Sequence, residues 1–166
     1  MSGSQLEVEY EGMANRHELY AKYGIAAEAA QLFETELGTL LLGLSGLEND
    51  WHVWPDGVAA REVLDNIDRS TLGRLLNDLK RYITIEGDLE EGFASALRAR
   101  NQLMHGFFER HNFKIQTEDG RKVMIADLER LHGECFEAWR AAGKLTTTIT
   151  TVLRHGADSK RPSAGN

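Results

Sequence analysis

Residues 26–47 read AAEAAQLFETELGTLLLGLSGL, and this stretch decides the fold class. Its apolar side chains recur every three or four residues, which is the spacing of one helix face. These side chains belong to Ala29, Ala30, Phe33, Leu37, Leu40, Leu41 and Leu44. Gly38 and Gly43 lower the helix propensity slightly but allow a neighbouring helix to approach closely. We therefore expect a first helix that starts near Arg16 or Ala26 and ends at Leu47.

The same apolar spacing recurs downstream and predicts three further helical regions. One covers about residues 58–83, and Ser70 or Thr71 is expected to cap its second part. Another runs from about 89 to 108, and the last from about 126 to 153. Short polar or glycine-containing stretches separate these regions, so neighbouring helices are expected to run up and down.

Residues 111–125 change to an alternating pattern. Asp119-Gly120, a dipeptide typical of tight turns, lies between two short alternating runs, and this combination predicts a β-hairpin. The sequence thus predicts an all-α fold: an up-and-down bundle of four to five helices with a short β-hairpin between the last two. We expect a helical domain over residues 15–155, with disordered segments at 1–14 and 156–166.

The formal net charge of −7 argues against a protein that coats nucleic acid through a general positive field. Between residues 96 and 115, however, the sequence contains four basic residues and one acidic residue, which gives this segment a net charge of +3. A small cationic site on an acidic body suits a discrete anionic ligand. A solvated helix end is the alternative interpretation of this basic segment.

The location of the protein is inferred from what the sequence lacks. The N-terminal residues show no basic segment followed by an apolar stretch, and no apolar run approaches the roughly 18 residues of a membrane span. A single cysteine, Cys135, lies among apolar helical positions and is expected to pack as a small hydrophobic residue. We therefore expect a cytoplasmic protein without membrane association.

Residues 100–105 read Arg-Asn-Gln-Leu-Met-His and form the one local arrangement that suggests chemistry. Arg100 is a permanent cation that can hold a phosphate. Histidine is the only nearby side-chain type whose unperturbed pKa lies near neutrality, so His105 can move a proton. Asn101 and His105 share a helix face, whereas Arg100 lies about 140° away around the helix. The long arginine side chain can curl back towards His105. A cation and a proton carrier within reach of each other would suffice for metal-free phosphodiester chemistry.

Other interpretations of these residues stay open. His105 is alternatively a core histidine that is hydrogen-bonded to a neighbour, and Arg100 a partner in a surface salt bridge. His111 is either a second proton carrier or an exposed helix-end residue. The spacing of His, Asp and Glu matches no tight metal motif, and no glycine-rich phosphate loop is present. No metal or cofactor is therefore expected.

Arg100-Asn101-x-x-x-His105, on the penultimate helix of a small helical protein, resembles the HEPN superfamily, whose hallmark is an Arg, a polar residue, a spacer of four to six and a His. The resemblance extends over the helix order of residues 16–154. It implies a metal-independent endoribonuclease whose two motifs form one composite site across a homodimer. His105 would act as general base or acid, Arg100 would stabilise the charged phosphorus, and Asn101 would orient either group.

The resemblance also suggests partners. It implies RNA as the substrate, with Arg98, Arg110 and His111 as RNA-binding candidates, and many relatives are toxins of toxin–antitoxin or antiviral defence systems. In one toxin branch an antitoxin modifies a Tyr two residues after the His. Phe107 occupies that position here, so this form of control is not expected. The alternative is a non-catalytic helical dimer that binds a nucleotide, RNA or a protein partner.

Overall fold

The structure, a computed structural model, describes residues 3–159, with the backbone alone for residues 3–14 and 158–159. Its helices are α1 (Gly3–Glu48), α2 (Gly57–Asp68), α3 (Leu72–Tyr82), α4 (Asp88–Met104), α5 (Phe107–His111), a 3-10 helix (Asn112–Gln116) and α6 (Glu118–Ser159). No strand occurs in this part of the chain. The all-α prediction is therefore confirmed, with six α-helices among residues 3–159 in place of the four or five expected.

Polar caps set the boundaries of α2 and α3. The carboxylate of Asp56 accepts hydrogen bonds from the backbone N–H groups of Val58 (3.1 Å) and Ala59 (2.9 Å). The hydroxyl of Thr71 accepts one from the N–H of Arg74 (3.3 Å). Each cap pairs N–H groups that have no partner in the first turn of a helix. The predicted break near Ser70-Thr71 is therefore confirmed, with Thr71 as the cap.

The predicted β-hairpin is wrong, because residues 111–125 form the end of α5, the 3-10 helix and the start of α6. The hydroxyl of Thr117 accepts a hydrogen bond from the N–H of Gly120 (3.0 Å), and so caps α6. A Cβ atom on Gly120 would collide with the carbonyl oxygen of Lys114. Asp119-Gly120 therefore begins a helix next to a close backbone approach and does not form a hairpin turn.

The predicted segment boundaries also differ from the helix ends. Helix α1 begins at Gly3, within the segment 1–14 for which the sequence predicted disorder. Helix α6 continues to Ser159, past the predicted start of the tail at residue 156, and residues 160–166 lie outside the described part of the chain. None of the helices within residues 3–159 has the length and apolar character that crossing a membrane requires.

The described part of the chain divides into two compact units, which we call the first unit (residues 3–31 and 92–137) and the second unit (residues 32–91 and 138–159). The core of the first unit comprises Leu19, Ala26, Ala29, Ala30, Ala99, Leu103, Phe107, Met124, Leu128, Leu131 and Cys135. The buried residues of the second unit include Phe33, Leu37, Leu40, Leu44, Leu72, Leu75, Leu76 and Leu79. Cys135 is buried as predicted, and burial raises the pKa of its thiol to about 11.

Candidate active site

Arg98 and Asn101 of helix α4 form an exposed polar stripe with His105, the residue that directly follows the helix. Ala99 and Leu103, on the other side of the helix, are buried in the core of the first unit. Arg98 precedes His105 by seven residues, so the two lie about 20° apart around the helix and about 10 Å apart along it. Because His105 is exposed, its interpretation as a core histidine is wrong.

The Arg100 guanidinium lies against the ring of His105. Its Nη1 atom is 3.4 Å from Nε2 of His105 and donates a hydrogen bond of 3.3 Å to Oδ1 of Asn101. When Nε2 carries no proton, it is the acceptor in this contact. Both distances are at the long end for hydrogen bonds, so the contacts are weak. The three residues of the motif thus meet at one point near the end of α4.

Helix α4 ends at Met104, and Gly106 turns the chain directly after His105. Its φ of 154° and ψ of 20° are not helical, and glycine is favoured at such a positive φ because it has no Cβ. The N–H of His105 still bonds to the carbonyl of Asn101 (3.0 Å), so His105 keeps the helical register. The chain then turns into α5. His105 is consequently held by α4 on one side and faces an open corner on the other.

His111 is buried, at only 6% exposed, so the interpretation as an exposed helix-end residue is wrong. Its Nε2 atom lies 2.8 Å from Oδ2 of Asp127, and its ring packs 4.7 Å from that of Phe107. A ring held in this way has little surface to offer an RNA strand. Arg110 is exposed but donates to the same carboxylate oxygen at 3.0 Å. Of these two RNA-binding candidates, the structure therefore leaves only Arg110 exposed to an RNA strand.

Asp127 gathers three donors and was not predicted as a site residue. Besides His111 and Arg110 it accepts a hydrogen bond of 2.7 Å from Arg130. Burial acts to raise the pKa of Asp127, but the hydrogen bonds from His111, Arg130 and Arg110 outweigh it and hold the pKa below its ordinary value. Arg130 also bonds to Glu134 (2.6 Å). This network, which we call the Asp127 hub, fixes α5 against α6.

One part of the Asp127 hub was visible in the sequence. Asp127, Arg130 and Glu134 are spaced three and four residues apart, which is the spacing of ion pairs on one helix face. Their connection to His111 depends on the turn after α5, which the hairpin prediction concealed. Within residues 15–157 no group of three or more His, Cys, Asp or Glu side chains is placed to hold a metal ion.

The arrangement at the end of α4 combines a cation, the half-buried Arg100, with an adjacent proton carrier, the exposed His105. An incoming phosphate would offer the guanidinium shorter, charge-assisted hydrogen bonds than those it makes to Asn101 and His105. Comparison with protein-family models, with curated proteins and with solved structures finds no match to this chain. The chemistry of the site is therefore inferred from its residues.

Proposed function

We propose that this protein is a metal-independent endoribonuclease that cuts RNA with Arg100 and His105. The observation that supports this most is the 3.4 Å approach of the Arg100 guanidinium to Nε2 of the exposed His105. Such a pair supplies the two functions that phosphodiester transfer to a 2′-hydroxyl needs: removal or delivery of a proton, and stabilisation of charge on phosphorus.

In the proposed reaction the imidazole of His105 takes the proton from a ribose 2′-hydroxyl. The 2′-oxygen then forms a bond to phosphorus while the bond from phosphorus to the 5′-oxygen of the next nucleotide breaks. Arg100 donates hydrogen bonds to the non-bridging oxygens, where negative charge accumulates. The departing 5′-oxygen receives a proton, so the products are a 2′,3′-cyclic phosphate and a 5′-hydroxyl. DNA is not cut, because it has no 2′-hydroxyl.

One imidazole cannot take and give a proton in the same step. A homodimer that brings His105 of two copies to one phosphate would supply both a proton acceptor and a proton donor. We propose such a composite site within an up-and-down helical bundle, as the HEPN resemblance implies. Arg98 and Arg110, both exposed, would contact the flanking RNA backbone, although Arg110 also bonds to Asp127, whereas the buried His111 is assigned to the Asp127 hub alone.

Cleavage of single-stranded RNA by the purified protein in EDTA tests this proposal. The wild type is expected to cut, and His105→Ala and Arg100→Ala are each expected to stop cutting without lowering the melting temperature. His155→Ala is the matched control, because this exposed histidine lies in the second unit, where its ring contacts the carbonyl of Thr151. Cutting by both site variants at the wild-type rate would eliminate the proposal.

The biological role we propose is that of a toxin in a toxin–antitoxin or antiviral defence system, held in check by an antitoxin protein. Expression of the wild type should then slow growth of the host, and His105→Ala should relieve this effect. Equal growth with both proteins would contradict a role as a toxin.

A non-catalytic helical dimer that binds a nucleotide, RNA or a protein partner is the second candidate. It is favoured by one observation: Arg100 already contacts both Asn101 and His105, as in a polar cluster that serves only to stabilise the helix end. The two candidates predict opposite outcomes in the RNA cleavage assay. They also predict different effects on stability. If the cluster is only structural, Arg100→Ala should lower the melting temperature.

A further inference from the structure

Four aromatic rings meet where α1 passes the start of α5. Tyr23 lies 5.7 Å from Phe107 and 5.2 Å from Phe108, measured between ring centroids, and Phe107 meets Phe108 edge-on at 5.2 Å. The hydroxyl of Tyr23 donates to the carbonyl of Leu103 at 3.1 Å. Tyr20 completes the cluster at 6.4 Å from Phe108. The less exposed rings of Tyr23 and Phe107 therefore pack against Phe108, which in turn contacts Tyr20.

Tyr20 and Phe108 face solvent, with 52% and 39% of their surfaces exposed, whereas Phe107 is buried. We call this outward pair the ring platform. Phe108 follows His105 by three residues, so their Cα atoms are at most about 11 Å apart. The two ring planes are tilted by 50° to each other, so each exposed ring offers its own face for stacking against another flat group near the candidate catalytic pair.

We propose that the ring platform binds an unpaired base beside the scissile phosphate. This inference rests on the proposed function. Bases stack on aromatic side chains with little regard to sequence, because every base has a flat face. A duplex keeps its bases stacked inside, so only an unpaired base reaches the platform.

Charge favours RNA over a second copy of the chain on this surface. Arg110 and Lys114 follow Phe108 closely and are exposed, with Arg110 also paired with Asp127, and the sequence of residues 96–115 carries a net charge of +3. Two copies that met through their ring platforms would bring these like charges together, whereas an RNA backbone is attracted to them. The proposed dimer requires only that Arg100 and His105 of two copies face one phosphate, whose negative charge offsets theirs.

Binding without cutting tests the platform. In the His105→Ala background, a short single-stranded RNA that carries 2-aminopurine should bind, and its fluorescence should fall as the base stacks. Adding Phe108→Ala or Tyr20→Ala should weaken binding roughly 5- to 150-fold and restore the fluorescence. Phe108→Trp should preserve both signals. Trp54→Ala is the control, because it removes an exposed aromatic ring from the second unit.

Equal affinity and equal quenching in the parent, the Phe108→Ala and the Tyr20→Ala proteins would overturn the inference. Loss of a dimer in those variants, measured by light scattering, would also overturn it and assign the rings to contact between copies. If Phe108→Ala fails to fold, Tyr20→Ala decides, because more than half of that side chain is exposed. If the wild type stacks the base but never cuts RNA, the proposed cleavage alone is refuted. If the wild type cuts RNA but Phe108→Ala binds it with unchanged affinity, the ring platform alone is refuted.

Discussion

Gly106 determines the direction in which the chain leaves the end of α4, directly after His105. Its φ of 154° turns the chain out of α4 directly after the histidine, and an alanine is strained at that angle. The short motif 100–105 therefore depends on a glycine outside it. The sequence revealed the motif and its chemistry, since Arg and His have distinctive side chains. It did not reveal the corner, because a lone glycine within an apolar pattern is compatible with a continuous helix.

Gly106→Ala is expected to destabilise the protein by about 1–3 kcal/mol, the usual cost of a backbone held in a sparsely populated conformation. It should also slow RNA cutting in conditions where the protein is fully folded, because it disturbs the backbone directly after His105. Chemical denaturation measures the first effect and an RNA cleavage assay the second.

Gly92→Ala is the matched control for this variant. Gly92 lies in α4, is exposed, and has space for a Cβ atom. Alanine is expected to stabilise the protein there by about 0.5–1 kcal/mol, because it restricts the unfolded chain and suits a helix. Equal stability changes at the two glycines would contradict the role assigned to Gly106.

The Asp127 hub fixes helix α5 to helix α6. Its carboxylate accepts hydrogen bonds from His111, Arg110 and Arg130 and is only 18% exposed. Asp127→Asn should therefore destabilise the protein at neutral pH by about 1–3 kcal/mol, the range for hydrogen bonds to charged groups. Asp119→Asn is the control, because that carboxylate is 98% exposed.

The Asp127 hub also predicts a pH dependence. The pKa of Asp127 is lower in the folded protein than its ordinary 3.8, so its stabilisation is present above about pH 4 and lost as the pH falls through the folded value. Denaturation at a series of acidic pH values should show a shallower decline for Asp127→Asn than for the wild type. Parallel declines would contradict the assignment.

The sequence predicted a helix boundary correctly where only one local signal was present at the helix end. Thr71 caps α3 with a hydroxyl in a pattern that sequence rules recognise. Thr117 caps α6 in the same way, but the neighbouring Asp119-Gly120 also satisfies the rule for a hairpin turn. The collision between a Cβ atom at residue 120 and the Lys114 carbonyl decides between the two. That contact depends on the folded path of the chain, which local propensity does not contain.

For the whole molecule, the proposed mechanism requires two copies. A single chain brings one His105 to the site, whereas the reaction needs one proton acceptor and one proton donor. We therefore expect a homodimer at micromolar concentration, and light scattering on the purified protein measures its mass. A monomer under the conditions in which RNA is cut would contradict the composite site.

Features that depend on contacts between distant segments were the hardest to predict from the sequence. The local basic segment 96–115 and its Arg–His motif were apparent from residue types alone. The ring platform was not, because Tyr20 and Phe108 are separated by 88 positions and meet only after folding. The same holds for His111 and Asp127. Contacts between distant segments supply the surroundings of the site, and a pattern search within one segment does not find them.

The joint action of Arg100 and His105 is tested most directly by a double-mutant cycle on single-turnover RNA cutting in EDTA. Each alanine variant is expected to slow cutting by about 100-fold or more, and the double variant should be no slower than the worse single one, because residues that act as a unit are not additive. Wild-type cutting by His105→Ala, or losses that simply multiply in the double variant, would contradict the account.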